Sequence, residues 1–219
     1  MHLPISSINE TNTAMGKPLK YAFRITHIDN MPHIIKYGLV KNDSPHRNEH
    51  FINIGDQQII QSRKENNIKG HKLSDYIPFY LGPRSPMLYV IQHGYNGVQP
   101  IEPEQIIYCV IKLEDLTNNR IDCIFTDGHA LSILTSFYPK EDLTRINDIV
   151  RYEDVYSAQW NSEIDIDLKR RKEAELLVNS DLPPHLICGY VVYNEKAKST
   201  LMELGIHDNK IIVRPDYYF

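Results

Sequence analysis

The segment DYIPFYLGPRSPMLYVIQHG, residues 75–94, decides the class of fold that the sequence predicts. Its apolar and aromatic start, residues 76–81, predicts a strand, and residues 86–93 predict a helix that stops at Gly94. The continuous apolar run at residues 106–113 predicts a central strand. Strands and helices therefore alternate here, but the rest of the chain does not continue a regular βαβ pattern.

Short strands and irregular helices are predicted along the rest of the chain. Asp29 and Asn30 are expected to cap a short helix that stops at Gly38, and residues 129–168 predict a broken helical segment. Further strands are expected at residues 21–25, 121–126, 174–178, 189–193 and 211–213, and further helices at 57–65 and 195–204. Since no repeat or linker interrupts the chain, we predict one α+β domain over residues 1–219, with residues 1–18 as a loose lead-in.

The composition limits the kinds of protein that this chain can be. Hydrophobic residues make up 42% and charged residues 24%, as in an ordinary globular protein. No apolar run reaches the roughly 18 to 20 residues that cross a bilayer, and the first residues lack the pattern of a secretory leader. The 3 cysteines are far apart, which predicts neither a disulfide framework nor a zinc site. We therefore expect a cytoplasmic protein with no membrane association.

The charge and the common motifs exclude several activities. A net charge of −4 disfavours stable non-specific binding to nucleic acid, but it leaves open an enzyme that contacts DNA briefly. The fingerprints GxGxxG, GxxxxGK[ST], GxSxG and HExxH are all absent. His46 and His50 have the spacing of a zinc-binding pair, but no further ligand follows, so a solvated loop is the preferred interpretation and no metal is expected.

One acidic residue lies in an apolar surrounding. Glu175 falls within AELLV, residues 174–178, where alternation places it opposite Leu176 and on the face of Leu177. Burying a carboxylate is costly unless it faces a cleft or a partner. Taken alone, the residues slightly favour a solvent-facing position on an edge strand over a functional acid, and Glu173 is interpreted as solvated.

Four segments together resemble the DarT family of DNA ADP-ribosyltransferase toxins. They are FRITHIDN (23–30), DYIPFYLGPRSPMLY (75–89), FTDGHA (125–130) and KRRKEAELLV (169–178), and the resemblance continues to RPDYYF (214–219). It implies an α+β ADP-ribosyltransferase fold with a central split sheet surrounded by helices. It also implies NAD as the donor of ADP-ribose, single-stranded DNA as the acceptor, a macrodomain antitoxin that removes the modification, and a monomer without metal.

The resemblance assigns roles to particular residues. Glu175 would be the catalytic glutamate, and Arg63 the catalytic basic residue within an NAD-binding element at about 46–66, with Lys64 as the alternative. The remaining contacts to NAD would come from Arg24, Ile25, Thr26, His33, Lys41 and Tyr80. On the DNA side, the expected residues are Arg84, Met87, Arg171 and His129, which would begin a substrate-positioning loop over about 129–175.

These residue types suit the chemistry. A carboxylate beside the ribose can stabilise the positive charge that develops when the bond to nicotinamide breaks. Tyrosines and the tryptophan between residues 129 and 175 can stack an unpaired base, and residues 169–172 can contact phosphates. Without the family resemblance, the preferred interpretation is that the aromatic residues belong to the core and that the basic run is a solvated face.

The nature of the acceptor stays open at this point. Thymine is the expected base, because FTDGHA and AELLV are most similar to the thymidine-modifying branch. Guanine, RNA or protein would be alternative acceptors, and a non-catalytic nucleic-acid-binding module is a further alternative. A nuclease is disfavoured, since the sequence shows no convincing acidic metal cluster.

Overall fold

The computed structural model describes residues 16–68, 70–119 and 121–219. The lead-in expected at residues 1–18 therefore lies almost entirely outside the described residues. In chain order the strands are β1 (Tyr21–His27), β2 (Asn67–Ile68), β3 (His71–Lys72), β4 (Ile77–Tyr80), β5 (Ile106–Lys112), β6 (Cys123–Thr126), β7 (Phe137–Pro139), β8 (Glu175–Val178), β9 (Ile187–Val192) and β10 (Ile211–Val213). The α-helices are α1 (Met31–Tyr37), α2 (Gln57–Glu65), α3 (Pro86–His93), α4 (Leu113–Asn118), α5 (Ile146–Ile149), α6 (Tyr152–Val155), α7 (Leu168–Lys172) and α8 (Glu195–Glu203).

The main sheet consists of two halves that meet at one point. Its 8 strands follow the order β10-β9-β5-β1-β4-β8-β6-β7, while β2 and β3 form a separate pair. Strand β1 pairs with β5 from Tyr21 to His27, but it meets β4 at the single register pair Phe23 and Tyr80. Beyond that pair β1 and β4 diverge. The expected α+β fold with a split central sheet is confirmed.

Apolar residues cover both faces of the first half of the sheet. Along β5, Tyr108 packs on the side of helix α3 with Leu88, whereas its neighbour Cys109 packs on the opposite side with Met31 of helix α1. This alternation explains the uninterrupted apolar run in the sequence, because a strand with two buried faces needs no polar positions.

The connection from β4 to α3 is fixed by close packing. A Cβ at Gly82 would collide with the carbonyl oxygen of Val155, so only glycine allows this approach. Ser85 begins the helix, its Oγ accepting a hydrogen bond from the backbone N–H of Leu88 at 3.2 Å. The helix ends at Gly94, which has φ 70° and ψ 29°. The motif LGPRSP therefore connects β4, in the second half of the sheet, to helix α3, which packs on the first half.

Most predicted elements match the structure, but one segment differs. The helices expected at residues 57–65 and 86–93 are confirmed to the residue. The broken helical segment expected at residues 129–168 is present in part as the short helices α5 and α6, but the segment also contains strand β7, whose Tyr138 pairs with Phe125 of β6 and stacks on its ring with centroids 5.1 Å apart. A pairing with a strand outside the segment is not visible in its local periodicity, which explains the error.

Candidate active site

Glu175 is a buried residue of a central strand. Strand β8 lies between β4 and β6, and the Glu175 side chain is only 2% exposed. The interpretation of Glu175 as a solvent-facing edge residue is therefore wrong. The physical reason is that strands distant in sequence pair on both sides of β8, and no local pattern reveals such neighbours.

Three hydrogen bonds hold the carboxylate of Glu175. Arg63 donates from Nη2 to Oε2 at 2.7 Å and from Nη1 to Oε1 at 3.3 Å, and the backbone N–H of Ala130 donates to Oε1 at 2.9 Å. The backbone of Glu175 is fixed as well, because its N–H donates to Thr126 Oγ1 at 2.9 Å. The carboxylate thus has a defined orientation, as an electrostatic catalytic group requires.

The ion pair sets the protonation states of both partners. Burial alone would raise the pKa of the Glu175 carboxyl, but the nearby Arg63 and His129, with the hydrogen bonds from Arg63 and Ala130, hold this pKa below its ordinary value. Burial likewise favours the neutral form of Arg63, yet the charge of Glu175 raises the pKa of its guanidinium. Both groups are therefore charged at neutral pH.

Helix α2 brings Arg63 to the site. The helix begins at Asp56, whose Oδ1 accepts a hydrogen bond from the Gln58 N–H at 2.8 Å and whose Oδ2 accepts one from Asn96 at 3.0 Å. In the last turn Arg63 points inward with 12% of its side chain exposed, whereas Lys64 is exposed. The structure thus places Arg63 and not Lys64 against Glu175.

A cleft of about 250 Å³ opens where β1 and β4 diverge. Residues 51–56 form one wall of it, and Asn30 anchors that wall to β1: its Nδ2 donates to Thr26 Oγ1 at 3.0 Å and to the Ile52 carbonyl at 2.8 Å. Asn30 is the N-cap residue of α1, as predicted, but its side chain makes no capping hydrogen bond, because it bonds to Thr26 and Ile52 instead. Around the ion pair the cleft is lined by Arg24, Ile25, Thr26, Lys41, Tyr80, Met87 and Ile91.

The cleft carries an excess of positive charge. Arg24 donates from Nη1 to the carbonyl of Pro78 at 3.0 Å. Burial, together with the nearby charge of Arg63, lowers the pKa of Arg24 to about 10, so it stays charged at neutral pH. Lys41 adds a third cation, with Asp43 at 3.6 Å outside the cleft lining. With Lys64 the lining holds four cations against two acids, Glu175 and Asp56, so the cleft suits an anionic ligand such as a pyrophosphate, and NAD fits this requirement.

Tyr80 provides an aromatic surface next to the ion pair. It pairs with Glu175 in the register of β4 and β8 and lines the cleft. Burial and the charges of Glu175 and Glu173 raise its pKa well above the ordinary value. The phenol is therefore neutral, and its ring can contact a flat group without adding charge to the cleft.

His33 is the one residue expected to contact NAD that does not line the cleft. Its Nε2 lies 2.7 Å from the carbonyl oxygen of His46, and its ring packs against Tyr37 with centroids 4.9 Å apart. Its contact to NAD stays a prediction.

The residues expected to contact DNA differ in how they relate to the cleft. Met87 lines the cleft itself. His129 acts on Glu175 electrostatically, and burial, then the charges of Arg63 and Lys169, lowers its pKa. Arg84 lies with its guanidinium 4.4 Å from the ring centre of Phe219. Their roles toward DNA stay predictions.

The basic run at residues 169–172 is mostly engaged within the protein. Arg171 pairs with Asp154 at 2.8 Å, Asp165 at 2.5 Å and Asp167 at 3.2 Å. Arg170 pairs with Asp167 at 2.7 Å and Asp127 at 3.1 Å, and Lys172 is buried and donates to the carbonyls of Pro83 and Val155. Only Lys169 of this run is exposed, so a solvated phosphate-binding face over the whole run is not what the structure shows. The DNA contact of Arg171 itself stays a prediction.

Glu173 is also placed differently from the expectation. It is buried rather than solvated, with 9% exposure, and burial together with the charge of Glu175 raises its pKa to about 7. The sequence did not reveal this because the burial comes from segments that pack over α7.

Sequence reasoning missed two residues of the site. Ala130 contributes only its backbone N–H, which no side-chain pattern can mark, and Thr126 fixes the backbone of Glu175 from the neighbouring strand. Both lie in or beside the FTDGHA segment, which the family resemblance had singled out as a whole.

Two further findings concern the described part of the chain as a whole. Within residues 16–68, 70–119 and 121–219, no group of three or more His, Cys, Asp or Glu side chains is placed to hold a metal ion. None of the helices found there is long and apolar enough to cross a bilayer.

A split sheet with a glutamate–arginine pair at the floor of a cationic cleft defines an NAD-dependent ADP-ribosyltransferase. The family model described as ssDNA thymidine ADP-ribosyltransferase, DarT, matches residues 23–219. This chain belongs to the DarT family.

Individual relatives agree with this membership. A DNA ADP-ribosyl transferase of Escherichia coli O127:H6 is 30% identical over 206 residues, covering 90% of this chain and 92% of the relative. The structure of Thermus sp. 2.9 DarT in complex with ADP-ribosylated ssDNA superposes with a TM-score of 0.77 at 27% identity, covering 93% of this chain and 99% of that chain. A DNA ADP-ribosyl transferase–DNA ADP-ribosyl glycohydrolase fusion protein of Thermosipho africanus is 29% identical over 90% of this chain and 48% of its own length.

Proposed function

We propose that this protein transfers ADP-ribose from NAD to the thymine base of single-stranded DNA and acts as the toxin of a toxin–antitoxin pair. The observation that carries the proposal is the buried Arg63–Glu175 pair at the floor of a positively charged cleft in a split sheet. Family membership and the Thermus sp. 2.9 DarT structures with NAD+ and with ADP-ribosylated ssDNA support both substrates.

On the side of the donor NAD, some cleft residues contribute charge and others contribute a surface that fits the ligand. Arg24 and Lys41 would hold the pyrophosphate, since neither forms an ion pair with a carboxylate of the cleft lining. Tyr80 would contact the nicotinamide side with its neutral ring. His33 and the backbone of Ile25 and Thr26 complete the proposed set, the last two because they line the cleft on β1.

In the transfer, the bond between ribose and nicotinamide breaks, nicotinamide leaves as a neutral molecule, and the acceptor base loses a proton as its bond to the ribose forms. The Glu175 carboxylate, held in place by Ala130 and Arg63, would stabilise the positive charge that develops on the ribose. Removing such a preorganised contact costs about 10²- to 10³-fold in rate.

Arg63 suits an electrostatic role better than that of a proton acceptor. Its pKa is raised above the ordinary arginine value by Glu175, so its neutral form is negligible at pH 7. It would orient Glu175 and interact with the anionic parts of the substrates.

On the acceptor side, single-stranded DNA is the substrate whose base is reached at the lowest free-energy cost, because a base in a duplex must first be unpaired and removed from the stack. Met87, Arg84, His129 and Arg171 are the proposed contacts to this strand. Thymine is the proposed base, which the description of the matching family model supports.

The regulatory part of the proposal rests on one relative. In the Thermosipho africanus protein, a DNA ADP-ribosyl glycohydrolase is fused to the transferase. We infer that this chain is likewise counteracted by a glycohydrolase, of macrodomain type, and that it acts as a cytoplasmic monomer. The unpaired Cys109, Cys123 and Cys188 support a reducing compartment.

The test is mass spectrometry of an oligonucleotide that contains all four bases, after incubation with NAD. We expect a mass gain of one ADP-ribose on thymine with the wild type, and a rate lower by about 10²- to 10³-fold with Glu175→Gln. The matched control is Glu203→Gln, an exposed glutamate on α8, which should leave the rate unchanged. Duplex DNA, RNA and protein are incubated in parallel.

Each result has a defined meaning. Modification of guanine would replace thymine in the proposal, and modification of RNA or protein alone would remove the DNA claim. If NAD is not consumed with any acceptor, and Glu175→Gln does not alter the binding of the oligonucleotide, the non-catalytic binding module would be favoured.

A further inference from the structure

A second depression lies beside helix α3, whose residue Met87 lines the cleft and whose residue Tyr89 lines this depression. It has a volume of about 600 Å³ and is open to solvent. Its walls are the rings of Tyr89, Trp160 and Phe219, and its rim carries Lys169. We call these four residues, together with the lining residues 158, 159 and 161, the aromatic groove.

The three rings of the aromatic groove form a corner. Tyr89 and Trp160 are inclined by 76° with centroids 5.6 Å apart, Tyr89 and Phe219 by 80° at 5.1 Å, and Trp160 and Phe219 by 80° at 5.3 Å. The three planes are nearly perpendicular and the groove between them is open to solvent, so a flat group that enters it can contact ring faces and edges. The position of Phe219 is fixed, since its backbone N–H donates to Gln92 Oε1 at 3.1 Å.

Three cations lie at or near the groove. Lys169 is exposed at its rim, Lys172 lies 5.9 Å from the Trp160 ring centre, and the Arg84 guanidinium lies 4.4 Å from the Phe219 ring centre. The buried Nε of Arg84 has no hydrogen-bond partner among the described residues. None of the residues that line the groove is acidic. A flat group attached to an anion therefore fits, whereas a cation of the kind that aromatic cages bind would be repelled.

The aromatic groove adjoins the active site through two elements. Helix α3 carries Met87 into the cleft and Tyr89 into the groove. Lys169 at the groove rim is near enough to His129 for its charge to act on that ring, and His129 in turn acts on Glu175. A strand whose target base is at Glu175 would thus be directed along helix α3 toward the groove.

We propose that the aromatic groove binds one unpaired base of the DNA strand that flanks the target thymine, with Lys169 and Arg84 contacting the adjoining phosphates. This inference rests on the proposed function, since it names a subsite for the same substrate. Stacking tolerates different bases, so the groove would hold the strand and contribute less to the choice of sequence.

The chain contains 1 tryptophan, and it lies in the groove, which gives a direct test. A single-stranded oligonucleotide of about ten nucleotides is titrated into the wild type without NAD while the fluorescence of Trp160 is recorded. Saturable quenching is expected with this probe, and none with inorganic phosphate or with a duplex of the same sequence. An abasic nucleotide moved along the probe should abolish quenching at one position next to the target thymine.

Variants then separate stacking from structural support. With Phe219→Ala and Trp160→Ala the KM for the oligonucleotide should rise about 5- to 100-fold, while Trp160→Phe should restore most of it because an aromatic face is kept. With a substrate shortened to remove the flanking nucleotide, wild type and variants should have the same KM. The control is Tyr193→Ala, a half-buried aromatic residue that contacts Tyr218 and not the groove.

The outcomes distinguish the two proposals. If the wild type modifies DNA, but the fluorescence of Trp160 is unaffected and the variants keep the wild-type KM, the groove is only structural and this inference is wrong. If the wild type modifies no oligonucleotide at all, the proposed function fails first. A KM that rises equally on the long and the shortened substrate would also overturn the inference, since it would indicate a general disturbance of the fold.

Discussion

Replacing Arg63 by glutamine removes the cation that keeps Glu175 ionised. The Glu175 side chain is 2% exposed and that of Arg63 is 12% exposed, so solvent screens their pair little. Removing one partner of a buried pair leaves an uncompensated charge and costs about 3 to 5 kcal/mol. We therefore expect Arg63→Gln to lower the free energy of unfolding by this amount near pH 7.

The loss should depend on pH in a defined direction. In the wild type the pKa of Glu175 is below its ordinary value, so its stabilisation is present above the unfolded pKa of about 4.3 and is lost as the pH falls through the folded pKa. In Arg63→Gln, burial is opposed only by Ala130 and His129, and the pKa should rise. Each unit of difference adds about 1.4 kcal/mol to the gap between the proteins as the pH increases.

Urea unfolding followed by circular dichroism, at about pH 4.5 and about pH 7, measures this gap. The control is Arg145→Gln, which removes an exposed ion pair to Asp142 and should change the free energy of unfolding far less. A loss for Arg63→Gln that is equal at both pH values, or no greater than that of the control, would refute the reasoning about the buried pair.

Three further changes test how the site is supported. Gly82→Ala should destabilise the protein by about 1 to 3 kcal/mol through overpacking, and so lower its melting temperature. The control is Gly55→Ala, whose Cβ would have its nearest neighbour at 3.5 Å. Similar melting curves for the two variants would contradict the packing argument. Thr126→Val leaves the backbone N–H of Glu175 without its acceptor and should lower the free energy of unfolding, measured in urea, by about 1 to 3 kcal/mol. An unchanged free energy of unfolding would show that the strand readjusts and would contradict this prediction. Arg171→Gln should reduce stability and, if Arg171 contacts a phosphate of the DNA strand as proposed, should also reduce the slope of oligonucleotide binding against salt by about one; an unchanged slope would restrict Arg171 to its aspartate partners.

The elements with strong local signals could be predicted from the sequence. Helix α3 has a serine cap, a proline in its first turn and a terminal glycine, and all of these act within a few residues of one another. Strand β5 is apolar at every buried position because both of its faces are covered. The family resemblance extended this prediction to the divided sheet, which the local pattern alone did not contain.

The sequence by itself determined the α+β class, the positions of the strongly marked elements and, through its motifs, the family and its expected acid at Glu175. Only the tertiary structure decided that Glu175 is buried in a central strand, that Arg63 pairs with it across 112 residues of sequence, and that Arg170 and Arg171 are engaged by aspartates. The physical reason is the range of the interactions. Caps, turns and periodicity act between near neighbours, whereas the burial and charge of a side chain depend on segments that only folding brings together.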